Sequence, residues 1–229
     1  MIDLHTHILP GMDDGPTHWK ESLTMLAMLR DQGVTTVALT PHYYAPQESV
    51  ESFVRRREAS HQLIAGEGME LLLGSETYLS DTLFRNDTLY DLCIGDTNYL
   101  LLELPYASRW EPAVFERVEQ LIHTFHVKPI LAHPERFEAT QNANREKIFA
   151  KLTDLGCLLQ FNIDSVVSPY SQKTTLELIQ AGWGDVIGSD CHNTRSRPPQ
   201  HHKFREIITK HIGDYQIETF QQNARTMIK

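Results

Sequence analysis

The chain has 229 residues, 41% of them hydrophobic and 22% charged, with a formal net charge of −9. That is the make-up of one globular domain, expected over residues 1–229 and long enough to bury about 70% of its unfolded surface. The acidic balance, with no run of Lys and Arg, argues against nucleic acid as a partner; no stretch of about 18 apolar residues spans a membrane, and no charged and apolar leader marks a signal peptide.

The first stretch, MIDLHTHILPGMDDG, reads as a strand over Ile2 to His7 followed by a loop. Residues two apart in a strand share a face, so the stems of His5 and His7 lie roughly 7 Å apart and both imidazoles can reach one ion. Asp13 and Asp14 follow in the loop. An amphipathic helix is expected over Thr17 to Gln32, with Leu23, Leu26, Ala27 and Leu29 on one face and Gly33 ending it. A strand over Val34 to Thr40 runs into TPH, which brings His42. A longer helix is expected from Pro46 to Gly66, then a strand from Met69 to Glu76; the stretch from Leu79 to Cys93 shows no regular period.

Next come a strand over Tyr99 to Leu104 carrying Glu103, a helix over Glu111 to Phe125, and a strand over Val127 to His133 that runs on into Arg136. A helix over Asn144 to Leu155 and a strand over Cys157 to Asn162 follow, then a helix over Ser171 to Ala181. The strand from Asp185 to Asp190 continues into CHN, which holds His192. Helices over Gln200 to His211 and Ile217 to Ile228 close the chain. Most of the strand runs are continuously apolar, as in parallel strands buried on both faces. Seven strands with intervening helices predict an α/β fold closed as a parallel barrel, with an open doubly wound sheet as the alternative. Neither GxGxxG nor GxxxxGK[ST] is present, so neither nucleotide fingerprint applies.

Twelve histidines are about twice the ordinary share. His18, His61, His123, His126, His201, His202 and His211 fall in polar or helical stretches and are expected at the surface. The other five gather at strand ends, where parallel α/β barrels place their active sites. Each polar residue there has a plain structural reading: Glu103 as a carboxylate paired with Arg, His42 as a loop residue, Asp190 as a cap. An ionised Glu inside LLLELP, however, costs several kcal/mol unless a cation meets it, and a bound divalent ion answers that cost for all of them together. Imidazoles and carboxylates without thiolate suit Mn, Fe, Zn or Mg better than a structural zinc site. The imidazoles and carboxylates at these strand ends, with Asp13 and Asp14 in the first loop, are too many ligands for one ion; nine of them with a bridging carboxylate suit two or three.

The stretches MIDLHTHILPGMDDGP, TPHY, GSE, LLLELP, AHPERF and GSDCHNTRSRPP, in this order and nearly end to end, resemble the polymerase-and-histidinol-phosphatase (PHP) superfamily. More narrowly, the chain resembles the bacterial metal-dependent protein tyrosine phosphatases of capsule and exopolysaccharide loci. The resemblance implies a distorted seven-stranded (β/α) barrel, TIM-like in character, with three divalent metals, Mn foremost. It implies one metal on His5, His7, Glu76 and Asp190, a second on Glu76, Glu103 and His133, and a third on Asp14, His42 and His192. Asp13 is left between supporting a ligand and shaping the turn before Gly15. Arg136 and Arg197 would hold the phosphate, and His42 or Asp190 would supply a proton through the metal shell. The implied partner is a phosphotyrosine protein, the tyrosine-rich tail of a bacterial tyrosine kinase that controls polysaccharide export.

The chemistry is coherent without the resemblance. Four carboxylates and three divalent ions leave a local charge of about +2 inside an acidic protein, which suits a phosphate dianion. Clustered ions acidify a bridging water for attack on phosphorus, and Arg grips the phosphate oxygens. Tyr43, Tyr44, Tyr106 and Trp110, in loops after strands, are candidates to stack on a phosphotyrosine ring. Cys191 to Arg197 formally fits the C-x5-R loop of thiol phosphatases, but it lacks glycine and runs into Pro198 and Pro199, so a thiol mechanism is disfavoured. Cys93, Cys157 and Cys191 fit a reducing cytoplasm and give no disulfide framework. The competing functions are a small-molecule phosphatase such as one for histidinol phosphate and, in another class, a non-catalytic phosphotyrosine-binding regulator. A nuclease is disfavoured by the acidic surface, and an amidohydrolase by the want of a lysine for its bridge.

Overall fold

The apolar runs fold as short parallel strands, and the amphipathic stretches fold as the helices that cover them. The structure is a computed structural model that describes residues 1–66, 68–107, 109–141 and 144–229. In chain order the elements are β1 (Ile2–Thr6), α1 (Trp19–Asp31), β2 (Thr36–Leu39), β3 (His42–Tyr43), α2 (Val50–Gln62), β4 (Glu70–Leu73), β5 (Glu76–Tyr78) and β6 (Tyr99–Glu103). They continue as α3 (Pro112–Phe125), β7 (Lys128–Ala132), α4 (Arg145–Asp154), β8 (Leu158–Asn162), α5 (Ile163–Val167), α6 (Gln172–Gln180), β9 (Val186–Gly188), α7 (His201–His211) and α8 (Asp214–Met227). The irregular stretch after β5 holds two 3-10 turns, Asp81–Arg85 and Tyr90–Leu92.

Among the described residues the strands form a three-stranded sheet in the order β1-β2-β4 and a six-stranded sheet in the order β3-β5-β6-β7-β8-β9, with every pair parallel. This corrects the expectation of seven unbroken strands: the fold is α/β with a curled parallel sheet. Two of the expected strands are interrupted. Pro41, which lacks an N–H, separates β2 from β3, and Gly74-Ser75 separates β4 from β5. The halves stay neighbours, since β2 pairs with β4 and β3 pairs with β5. The two sheets also meet at β1 and β9. There His7 N–H donates to Cys191 O (3.0 Å), Asp190 N–H donates to His5 O (2.8 Å), and Thr6 bridges Cys191 in parallel.

The register of β1 shifts inside the strand. Asp3 lies opposite Val37 and Thr6 opposite Leu39, so β1 spends one residue more than β2 over this step. Such a bulge bends a strand and re-aims its side chains. The larger apolar cluster, with Phe53, Phe149, Phe161 and Phe204, joins the helices to the sheets. A smaller cluster takes Leu4, Ala38, Leu101, Ile130 and Val186 from five strands, together with Ala224 and Met227 of α8. Side chains from so many strands meeting in one cluster are what the concave side of a curled sheet provides.

The helices fall close to their expected ranges, with α2 shorter than expected. It starts at Val50, where the Ser49 side chain accepts a hydrogen bond from Ser52 N (3.2 Å) and caps the helix. α5 has five residues, fewer than two helical turns, and so carries no readable period.

Candidate metal centre

β1 delivers two imidazoles whose Nε2 atoms stand 3.0 Å apart. Each ring is held from behind: His5 Nδ1 lies 2.9 Å from Gln160 Oε1, and His7 Nδ1 lies 2.6 Å from Asp13 Oδ2. The free edges of both rings therefore face one point. Glu76, at the start of β5, reaches the same point. Its Oε2 is 3.3 Å from both His5 Nε2 and His7 Nε2 and 2.9 Å from His42 Nδ1, while its Oε1 is 2.9 Å from His133 Nε2. Asp190 Oδ1 stands 3.6 Å and 3.4 Å from the same two imidazoles. Glu103 Oε1 is 3.8 Å from His133 Nε2, and Asp14 Oδ1 is 3.1 Å from His192 Nε2 and 3.6 Å from His42 Nε2.

All nine expected ligands thus converge. They form four overlapping groups, His7-Asp14-His42-His192, His5-His7-Asp190, His5-Glu76-His133 and His42-Glu76-Glu103, in each of which the ligand atoms lie within 4.8 Å of one another. The donor set fits divalent cations. Glu76 Oε2 and His192 Nε2, both turned into the cluster, are buried without a hydrogen-bond partner, a cost that ligation would remove. Without a cation the cluster divides its charge unevenly. Burial pushes the Glu103 carboxyl up to about 7, and the neighbouring Glu76 adds to this. Burial presses Glu76 the same way, yet the charge of His5 and the close imidazoles of His133, His42 and His5 hold it well below the carboxylate range. His192 is pushed down to about 3, by burial first and then by His7.

The backbone is bent to make this arrangement. His133 and Asp190 adopt left-handed conformations, with φ of 35° and 53°. For residues other than glycine such conformations cost about 1–3 kcal/mol each and cluster at functional sites. Gly188 lets β9 pass close to β1, since a Cβ there would stand 2.4 Å from His5 Cβ. Beside the cluster opens a cavity of about 270 Å³, lined by Asp14, His42, Tyr44, Glu76, Tyr78, Glu103, Tyr106, His133, Arg136, Asp190 and Arg197. Arg136 Nη1 donates to Asp190 Oδ2 (2.6 Å) and Arg197 Nη2 to Asp190 Oδ1 (2.8 Å), so both guanidiniums converge on the rim of the cluster.

The family model for capsular polysaccharide synthesis proteins CpsB/CapC matches residues 1–229. The chain belongs to the CpsB/CapC family. It is 30% identical to the tyrosine-protein phosphatase CpsB of Streptococcus pneumoniae, over 100% of this chain and 98% of that protein. It is 29% identical to the putative tyrosine-protein phosphatase CapC of Staphylococcus aureus, over 100% of this chain and 89% of that protein. Its fold matches a solved structure from work on YwqE of Bacillus subtilis and CpsB of Streptococcus pneumoniae, described as metal-dependent tyrosine phosphatases. That match has a TM-score of 0.84 at 23% identity and covers 100% of this chain and 94% of that one.

In this CpsB/CapC chain Asp13 does both things the sequence left open. It accepts from Gly15 N and His42 N in the turn (2.9 and 3.0 Å), and it holds His7 Nδ1. Tyr44 and Tyr106 line the cavity as expected. Tyr43 and Trp110 do not: Tyr43 is buried against Phe53, and buried Trp110 donates its indole N–H to Pro105 O. Neighbours in an extended segment point to opposite sides, so Tyr43 and Tyr44 cannot both face the cavity. Tyr78, two residues after Glu76, takes a place at the cavity that the sequence reading missed.

Gln160 and Asn162 of β8 were missed too. Gln160 holds His5, and Asn162 Nδ2 donates to Asp190 Oδ2 (2.7 Å). Their signal was two amides at alternate positions in the apolar run LLQFN. His201, expected at the surface, is fully buried 3.4 Å from Asp3. Cys191 is buried, and burial pushes its thiol well above the ordinary range, opposite to what a nucleophilic thiolate needs. Among the described residues no helix is long and apolar enough to cross a membrane.

Proposed function

We propose that this chain is a metal-dependent protein tyrosine phosphatase of capsular or exopolysaccharide synthesis. The observation that carries the reading is the convergence of nine imidazole and carboxylate side chains beside two arginines and three cavity-lining tyrosines. The names of its relatives in Streptococcus pneumoniae and Staphylococcus aureus support it. We read the interrupted strands β2/β3 and β4/β5 as two staves of one distorted seven-stranded barrel, closed where β1 meets β9, and the chain as one domain. The four overlapping groups suit three ions: one on His5, His7, Glu76 and Asp190; one on Glu76, Glu103 and His133; one on Asp14, His42 and His192. The nitrogen-and-oxygen donor set suits Mn, Fe, Zn or Mg, and the family resemblance puts manganese first among them.

Bound divalent ions supply positive charge against the phosphate oxygens and acidify water at the site. The chain's own residues do the rest. Arg136 and Arg197 leave Asp190 to grip phosphate oxygens with planar, charge-assisted hydrogen bonds as negative charge shifts in the transition state. Tyr44 and Tyr106 flank the phenyl ring. The tyrosine phenol, with a pKa near 10, is a better leaving group than a sugar alcohol and asks little of a general acid. Any proton for the leaving phenolate would come from His42 or Asp190, both of which line the cavity. The partner we propose is the tyrosine-rich tail of a bacterial tyrosine kinase, met in the cytoplasm.

The test is phosphate release measured side by side from a phosphotyrosine peptide, a phosphoserine peptide and histidinol phosphate, with Mn²⁺, Fe²⁺, Zn²⁺ or Mg²⁺ added to chelator-stripped protein. The reading predicts metal-dependent release, fastest from phosphotyrosine. Preference for histidinol phosphate would make it a small-molecule phosphatase. No turnover with metals loaded would make it a phosphotyrosine-binding regulator.

A further inference from the structure

The bulge in β1 raises a question of accounting. An extra residue inserted in a strand leaves backbone groups without ladder partners, and a buried N–H must find an acceptor elsewhere. His5 N–H finds it in a side chain: Asp3 Oδ1, at 3.2 Å. The same oxygen accepts from Ser189 N at 2.9 Å. Ser189 directly precedes Asp190, the residue held in the left-handed conformation. One carboxylate oxygen thus ties the backbone of a proposed ligand, His5 on β1, to that of Ser189, the residue before the proposed ligand Asp190, at the place where the two sheets meet.

The other oxygen, Oδ2, faces His201 Nε2 of α7 at 3.4 Å. Both residues are entirely out of solvent. Leu4, the neighbour of Asp3, sits in the smaller, concave-side cluster, so Asp3 faces the α7 side of β1, away from the cluster that His5 enters. A carboxylate in so apolar a place is costly unless what it holds repays the cost. Neither Asp3 nor His201 is among the nine metal ligands, and neither lines the cavity.

We infer that Asp3, backed by His201, is a positioning residue: its carboxylate keeps the β1 bulge that turns His5 into the cluster and fixes the approach to Asp190. It acts through the backbone N–H groups of His5 and Ser189 and is not itself a ligand. The inference rests on the metal-centre reading above. It extends that reading to a residue outside the centre whose removal weakens ion binding while the rest of the fold stands. Supporting residues around metal ligands commonly change affinity 10–100-fold when removed.

The variants that test it are Asp3→Leu, which keeps the side chain's volume and loses both acceptors, and Asp3→Asn, which keeps one oxygen for His5 and Ser189. Chelator-stripped proteins are titrated with Mn²⁺ by calorimetry, and urea unfolding of the metal-free forms is followed in parallel. The expected result is Mn²⁺ binding weakened about 10–100-fold in Asp3→Leu and near wild type in Asp3→Asn. A purely structural role would lower the urea midpoint of Asp3→Leu and leave its Mn²⁺ affinity at the wild-type value, which would overturn the inference. Equal loss in both variants would overturn it as well, since the acceptor oxygen would then not be the operative feature. If Asp3→Leu does not fold, His201→Phe decides: weakened Mn²⁺ binding supports the inference, and unchanged binding overturns it. Wild-type protein that bound no Mn²⁺ would refute the metal centre itself, and this inference with it.

Discussion

Glu135 stands directly before Arg136 and holds the loop that carries it. Its Oε1 accepts from Asn162 N at 2.9 Å, while its Oε2 is buried without a partner. Burial pushes its carboxyl up to about 7, against hydrogen bonds from Asn162 N and Ser165 that pull it down. The folded metal-free protein therefore binds this proton more tightly than the unfolded chain, whose value is near 4.5. Stability falls as pH rises through that window: the cost is absent below the unfolded value and fully present above the folded one. Gln keeps the acceptor and cannot ionise. Glu135→Gln should gain about 2 kcal/mol more stability at pH 8 than at pH 5, measured by urea unfolding of the chelator-stripped protein. A gain independent of pH would show that Glu135 is not the group responsible.

The residues that converge at the candidate site were legible because each departs from its surroundings: Glu103 inside LLLELP, or His5 and His7 in an apolar strand. The residues that hold them were not. Gln160 and Asn162 bear no charge, and His201 lies in a polar helical stretch where histidine is ordinary; only folding shows that α7 lays it against Asp3.

At the level of elements, period and punctuation located the helices, because each of the longer ones has a clear apolar face and a stop. α2 is the case with a visible cap. Ser49 supplies an acceptor to an N–H that the first turn leaves free. Ser49→Ala should lower stability by about 1 kcal/mol and leave Mn²⁺ affinity unchanged, as read by urea unfolding and by metal titration. A loss of metal affinity would show that the α2 start, rather than β3, positions His42.

The strands were harder to bound. A continuous apolar run does not reveal where hydrogen bonding lapses, and Pro41 and Gly74 interrupt two runs that read as single strands. The β1 bulge was invisible for a related reason. It depends on the register against β2, which the β1 residues do not encode by themselves. Its consequence is the useful part, since the step between Asp3 and Thr6 brings both Leu4 and His5 into the interior.

Over the whole molecule, the order of the chain converts six distant segments into one rim. Parallel strands place all their C-terminal ends on the same side, so a ligand at the end of each strand is a ligand at one site. That rule made the centre readable in outline, and the fold adds the distances. The acidic chain, at −9, gathers five of its twelve imidazoles, two arginines and the proposed cations at one mouth, a local positive field that would draw a phosphate dianion. The rival nucleophile sits within the same segment: Cys191 lies between Asp190 and His192 but is buried and paired through its backbone to β1.

Turnover of a phosphotyrosine peptide by Cys191→Ser and by wild-type protein, each with Mn²⁺ and after chelation, separates the two chemistries most directly. The account predicts that Cys191→Ser keeps most of the wild-type rate and that chelation abolishes activity in both. Activity that survives chelation and disappears with the sulfur would contradict it.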